Sequence, residues 1–153
     1  HYNMHRLNKQ ASILLMEVEN MINYADLLKA TPNGVLATQD GQGVKTRVFQ
    51  YLFSDGNKVY FCTSSEKPVY DQMKANPNVS FCTHPANFSP VVSVNGTVVF
   101  VDDLALKTRA LDENPGIKGI YNTPDNPVFT LFYIDVKEVE TFSFAEGPKT
   151  YNV

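Results

Sequence analysis

Hydrophobic residues recur along this chain in short period-two stretches separated by Gly, Pro, Asn and Asp, a rhythm that predicts strands joined by tight turns. From Asn23 the pattern is continuous. Asn23 caps a helix with Asp26 at its third position and Tyr24, Leu27 and Leu28 on its apolar face, and Pro32 stops it. Val35 to Thr38 reads as a strand, Asp40-Gly41 as a turn, and Val44 to Phe53 as a longer strand. Ser54-Asp55-Gly56-Asn57 turns the chain into Lys58 to Thr63, where Val59 and Phe61 alternate with Tyr60 and Cys62. A short helix follows, with Ser64 or Ser65 as cap, Pro68 in its first turn, Val69 and Met73 on one face, and Asn76-Pro77 at its end.

Val79 to Thr83 is a further strand, and Val91 to Val101 is a β-branched run interrupted by Gly96. Asn95-Gly96 reads either as a hairpin tip or as a bulge inside one strand. Asp102 or Asp103 caps a helix from Leu104 to Asn114, Pro115-Gly116 opens a helical segment through Tyr121, and Phe129 to Val136 and Val139 to Phe144 supply the closing strands. About seven strands with three short helices at the connections predict a mainly β (α+β) protein, largely antiparallel, built as a small barrel with helices over its ends.

Length and composition narrow the function. At 153 residues the chain is sized for one domain. It opens on His1 rather than Met, so residues 1–20 are read as an N-terminal extension, processed or in part foreign to the natural chain, and 21–153 as the single domain. Hydrophobic residues at 43% and charged residues at 19% sit near the globular average and argue against a disordered tail or coiled coil. A formal charge of -3 without any basic block argues against a nucleic-acid partner, which needs clustered cations. The longest early apolar run, Ile13 to Met16, is too short for a membrane span or a signal-peptide core. With only Cys62 and Cys82, neither at zinc-ligand spacing, a reduced cytoplasmic setting without a bound metal is expected.

The most informative segment is Val59-Tyr60-Phe61-Cys62-Thr63-Ser64-Ser65-Glu66-Lys67-Pro68, a strand ending in three hydroxyl residues and running into a helix with a Lys in its first turn. Free N–H groups and the helix dipole attract an anion there, and hydroxyls and an ammonium add charge-assisted bonds. From spacing alone the commoner case is a serine that only caps the helix, with Lys67 in water. On the preceding long strand Val44, Thr46 and Val48 share one face, and Arg47, Phe49 and Tyr51 share the other. An Arg among aromatics can hold a flat anionic ligand or pack its stem along the surface. Cys62 and Cys82 lie in strand interiors and read as buried, inert thiols. No Gly-rich phosphate loop, HExxH or CxxC occurs, so any catalysis is carried by a cofactor, or the protein only binds.

Taken in order, Gly34-Val35-Leu36-Ala37-Thr38, Arg47-Val48-Phe49-Gln50-Tyr51, Tyr60-Phe61-Cys62-Thr63-Ser64-Ser65-Glu66-Lys67 and Met73-Lys74-Ala75-Asn76-Pro77 resemble the pyridoxamine 5'-phosphate oxidase-like, FMN-binding split-barrel superfamily. Ser93 to Val98, Leu111 to Pro115 and Phe129 to Ile134 agree, so the resemblance spans about Ile22 to Phe144 and is nearest to the small single-domain, nitroimidazole-resistance-like members. It implies a split β-barrel forming a homodimer with FMN in grooves between subunits, and Gly96 as a bulge. It further implies Arg47, Val48, Phe49 and Gln50 beside the isoalloxazine ring, and Thr63, Ser64, Ser65 and Lys67 on the phosphate. The implied activity is an FMN-dependent oxidoreductase passing hydride or electrons, with NADH or NADPH as donor, to a small acceptor. A non-catalytic flavin- or haem-binding carrier or sensor is the alternative, and deazaflavin an alternative cofactor. The vitamin B6 oxidases carry further C-terminal Trp and Arg, whereas this chain has no Trp and no Arg after Arg109, which argues against pyridoxamine phosphate oxidation. His84, Phe88, Tyr51 and Tyr121 are candidates for a substrate pocket, and each suits core or interface as well.

Overall fold

The structure, a computed structural model, describes residues 2–19 and 22–153, with side chains at 3–11 and 22–153. Helix α1 (Tyr2–Glu19) precedes the domain, and its side chains from Asn3 to Ala11 are exposed. Helix α2 (Tyr24–Ala30) starts where the sequence predicts, with the Asn23 side chain accepting from the Asp26 N–H. Strands β1 (Asn33–Asp40) and β2 (Gly43–Gln50) form a hairpin, and β3 (Phe53–Asp55) and β4 (Lys58–Ser64) a second. Helix α3 (Pro68–Ala75), strands β5 (Asn78–Thr83) and β6 (Val91–Val101), and helices α4 (Leu104–Asp112) and α5 (Pro115–Tyr121) follow. Strands β7 (Phe129–Ser143) and β8 (Gly147–Asn152) complete the chain. Among the described residues no helix is long and apolar enough to cross a membrane.

All strand pairs are antiparallel, in the order β2-β1-β5-β6-β7-β4-β3, with β8 also on β7. The sheet curls without closing, as in split barrels. Its inner face holds one core, in which the Phe61 ring lies 4.8 Å from Phe81, 5.7 Å from Phe132, 6.0 Å from Phe49 and 6.5 Å from Tyr51. A second core covers the opposite face of β4 and β7, where Tyr60, Phe129 and Leu131 meet Ala110 and Leu111 of α4 and Tyr121 of α5. Strand β4 is therefore buried on both faces, which accounts for its unbroken apolar run from Val59 to Cys62.

Three sequence expectations change. The predicted strand from Val44 to Phe53 is two strands on opposite edges of the sheet: the Tyr51 N–H turns to the Pro32 carbonyl (2.7 Å) and the Leu52 N–H to Tyr60 (3.0 Å). The closing strands at 129–136 and 139–144 are one strand, β7, which pairs with β6 along most of its length and exchanges β4 for β8 on its other side. That exchange falls at the polar step Lys137-Glu138, which made the strand look like two. Strand β8 was not predicted, because Gly-Pro-Lys-Thr-Tyr-Asn shows no apolar alternation and lies on the surface.

The ambiguity at Gly96 resolves as a bulge inside β6, where the register against β7 shifts between Asn95 and Gly96. A Cβ on Gly96 would overlap the Asp135 carbonyl oxygen. Gly96→Val is accordingly expected to cost about 1–3 kcal/mol, read as a lower urea midpoint at unchanged m-value. An unaltered midpoint would show the close approach to be unimportant.

Candidate functional site

The sheet opens between its two edges, and a cleft of about 710 Å³ lies along that opening. One wall is Lys45 to Gln50 of β2; the floor is Cys62 and Thr63 of β4; the far side is the start of α3 and the residues Ile117, Ile120 and Tyr121 of α5. Gln50 Nε2 donates to Asn114 Oδ1 (3.0 Å), tying the end of β2 to the helices that cover the second core. Because β2 is an edge strand, its backbone groups on the side away from β1 have no strand partner and are open to a ligand.

The decisive feature is Thr63. Five polar residues are buried: Thr38, Thr63, Ser64, Thr83 and Ser143. Four of them use their hydroxyls. Thr83 donates to the Thr31 and Asn33 carbonyls, Thr38 to Gln72, and the Ser64 and Ser143 oxygens accept the Glu66 and Glu146 N–H groups. Thr63, only 2% exposed, lines the cleft and has no partner for its Oγ1 among the described residues. An unsatisfied buried hydroxyl costs about 1–3 kcal/mol, and a ligand atom that supplied the missing bond would recover that cost.

Lys67 and the start of α3 stand beside it. Ser64 or Ser65 was expected to cap this helix, but the cap position is Lys67, in extended backbone, and no described side chain caps α3. The Ser64 oxygen is engaged inside the turn, where the Lys67 N–H also reaches the Ser64 carbonyl (3.1 Å). The Ser65 N–H goes to the Val128 carbonyl (2.9 Å), and Ser65 lines a different cleft. Thr63 and Lys67 thus lie in the groove with Pro68 and Val69 of the uncapped helix start, and Ser64 and Ser65 do not line it.

Arg47, Val48, Phe49 and Gln50 all line the cleft, but in different ways. Phe49 is buried with its ring in the first core, whereas Val48 is 72% exposed on the outer face of the sheet. Arg47 is held from two sides: Nη1 donates to Thr38 Oγ1 (2.7 Å) and the Leu36 carbonyl (3.2 Å), and Nη2 to Gln72 Oε1 (2.6 Å). Burial draws its pKa below the usual range and Asp40 opposes that shift, yet a guanidinium remains charged in either direction. Its direct partners are neutral. Three cations (Lys45, Arg47, Lys67) face one carboxylate (Asp40) in a groove on a protein of net charge -3.

Cys62 turns to the second core and the groove, and burial pushes its thiol up to about 12, the nearby Lys67 only partly offsetting this. At neutral pH it is an unreactive thiol, as expected. Tyr121 is the one substrate-pocket candidate that reaches the groove, with its phenol pKa raised by burial and by Cys62. Tyr51 is core, its Oη 2.5 Å from Ser54 Oγ, and His84 stacks on Phe88 (4.7 Å) away from the groove. The sequence reading missed Gln72, Ile117 and Ile120. The repeat of Ile117, Ile120 and Tyr121 at i, i+3, i+4 was the available signal for the last wall.

An incompletely closed antiparallel sheet with a cationic cleft at the split defines a split-barrel fold. The family model for pyridoxamine 5'-phosphate oxidase matches residues 22–143. The chain belongs to this family, whose members typically bind a flavin. Among solved structures, a NimC/NimA family protein from Clostridium acetobutylicum superposes with a TM-score of 0.77 at 25% identity, covering 88% of this chain and 93% of that one. A heme binding protein from Mycobacterium smegmatis gives 0.67 at 16% identity over 81% of this chain and 54% of that one. An F420 reductase gives 0.63 at 22% identity over 78% and 97%. The last two likenesses concern the fold alone. No curated protein matches the chain at a significant level.

Thr63→Val replaces the unsatisfied hydroxyl with a methyl of similar shape, and should raise the stability of the ligand-free protein by about 1 kcal/mol. Chemical denaturation after exhaustive ligand removal measures this, and a destabilised variant would mean that the hydroxyl already has a partner.

Proposed function

We propose that the protein is a homodimeric FMN-dependent oxidoreductase that passes hydride or electrons from NADH or NADPH to a small acceptor. The observation that carries this reading is the unpartnered Thr63 hydroxyl beside Lys67 and the uncapped start of α3. A phosphate dianion would satisfy Thr63, neutralise the ammonium and take up the free end of α3 together. Arg47, fixed by Thr38 and Gln72, adds a preoriented positive charge on the β2 side. Val48 to Gln50 offer an unpaired strand edge for the polar rim of a flavin ring, and Ile117, Ile120 and Tyr121 an apolar wall for its face.

Bound FMN would supply the redox chemistry, accepting a hydride from the donor and delivering electrons to the acceptor. The chain's own part is to orient and to exclude water. Phe49, locked against Phe61 and Phe132, keeps the floor of the groove dry, and the neutral Cys62 thiol brings neither charge nor a competing nucleophile. Val35, Val44 and Val48 are exposed on the outer face of β1 and β2, which suits cover by a second copy at the groove's edge. The donor set favours flavin over haem, because no histidine lines the groove and its one thiol is held protonated. The named F420 reductase makes deazaflavin the cofactor to compare with FMN.

Lys67→Ala is expected to weaken FMN by about tenfold or more, at 1.4 kcal/mol per decade, and riboflavin far less, since only FMN carries the dianion. Equal losses would put Lys67 on folding or on the ring. Absorption spectra of the purified protein and of protein incubated with FMN or F420 identify the cofactor, and a protein that takes up neither removes this reading. Rapid-mixing reduction by NADH or NADPH distinguishes an enzyme from a carrier. Light scattering should find a dimer, and a monomer with full FMN occupancy would contradict the shared groove.

A further inference from the structure

The groove adjoins a second cleft of about 380 Å³ between the β1–β2 turn and α3, and the two share Asp40, Pro68 and Gln72 in their walls. On α3 the wall residues Pro68, Asp71, Gln72 and Ala75 follow at i, i+3, i+4 and i+7, one face of the helix. Charge reverses across this border. The groove carries Lys45, Arg47 and Lys67 against Asp40, whereas the second cleft carries Asp40 and Asp71 and no cation. Both carboxylates are exposed, and among the described residues neither lies within ion-pair distance of a Lys or Arg. No third His, Cys, Asp or Glu completes a metal cage around them among the described residues. The anchored end of the groove is fixed independently, by the buried and unpartnered Thr63 hydroxyl next to Lys67.

We infer that Asp71, together with Asp40, is a specificity-determining residue that admits a flavin ending at its phosphate and rejects one whose chain continues past that phosphate with further anionic groups. The inference rests on the FMN reading above and deepens it by naming what the site excludes. With the ring between the end of β2 and α5, and the phosphate on Thr63 and Lys67, a longer chain is directed along α3 toward the β1–β2 turn. A second phosphate there would give up water beside two like charges. Exclusion by repulsion needs no tight contact, so exposed carboxylates suffice. Asp71 also lies in the first turn of α3, where a carboxylate favours the helix dipole. That second role acts on folding and does not discriminate between two flavins.

The test compares FMN with FAD, which share ring and ribityl phosphate and differ in the adenylate that FAD adds to that phosphate. Each is equilibrated by dialysis with cofactor-free protein, and binding is read from flavin absorbance, independently of turnover. The native protein should bind FMN more tightly. Joining the adenylate also removes one charge from the shared phosphate, so the deciding quantity is the shift of the affinity ratio between variants. Asp71→Lys should move that ratio toward FAD by about tenfold, from lost repulsion and a gained ion pair. The nearly isosteric Asp71→Asn should move it the same way by about threefold, and keeps the test open if the lysine disturbs α3. High salt should bring the native and Asp71→Lys ratios together, because it screens exposed charges. Asp125→Lys makes the same change of net charge at an exposed position beside a different cleft, and should leave the ratio unchanged. Equal binding of FMN and FAD by the native protein, a ratio indifferent to both Asp71 variants, or an equal shift in Asp125→Lys overturns the inference while leaving the flavin reading intact. Failure of the native protein to take up FMN removes the flavin reading and this inference with it.

Discussion

Two residues, Tyr51 and Leu52, impose the geometry on which the rest of the molecule depends. Strands β2 and β3 are consecutive in the chain yet occupy opposite edges of the sheet. A linker of two residues spans on the order of 10 Å even when extended, so the edges must be brought almost together. The sheet has to curl. The Tyr51 N–H carries on the β1–β2 register to Pro32 and the Leu52 N–H goes to Tyr60 of β4, so the chain leaves one edge and joins the other between adjacent residues. A curled sheet that cannot close retains a slit, and side chains rather than backbone bonds bridge it: Phe49 of β2 packs against Phe61 of β4 and Phe132 of β7. The cleft follows from the connectivity.

Strand β4 converts that slit into a site. Because it is buried on both faces, its alternation divides residues between two cores: Val59 and Phe61 face the barrel, while Tyr60 and Cys62 face the layer under α4 and α5. At its end the same alternation leaves Thr63 on the barrel side, where the core stops and the cleft begins. A valine there would pack as well and leave no unmet hydrogen bond. The hydroxyl violates a rule that the other buried hydroxyls obey, and such local violations concentrate where function requires them.

Much of this was legible in the sequence, and the failures share a cause. Strands β1, β4, β5 and β6 and the caps at Asn23 and Asp103 follow from local pattern and come out nearly as predicted. The break at Tyr51-Leu52 falls inside the unbroken apolar run Tyr51-Leu52-Phe53; it is a change of partner, which one strand's pattern does not record. The exchange of β4 for β8 along β7 is invisible for the same reason. In the candidate site, Arg47, Thr63 and Lys67 were legible because charge and hydroxyls beside a helix start are local signals. Ser64 and Ser65 have the same local signal, and only the three-dimensional turn shows that Ser64 is engaged within it and Ser65 lines another cleft. Gln72 escaped notice since its role depends on residues of two other elements, Thr38 of β1 and Arg47 of β2.

That trio shows how an acidic protein presents an unneutralised cation in the candidate groove. At a net charge of -3 the long-range field repels phosphate weakly, and salt screens it beyond about 8–10 Å. What matters is whether the local cations are already neutralised. Had position 72 been Glu, its carboxylate would have held Arg47 as firmly and cancelled its charge. Gln72 and Thr38 fix the guanidinium with neutral oxygens, and Gln72 Oε1 accepts from both Thr38 and Arg47. The direct contacts therefore immobilise the charge without neutralising it, so a ligand meets a cation whose orientation is already set, with Asp40 the one carboxylate along the groove.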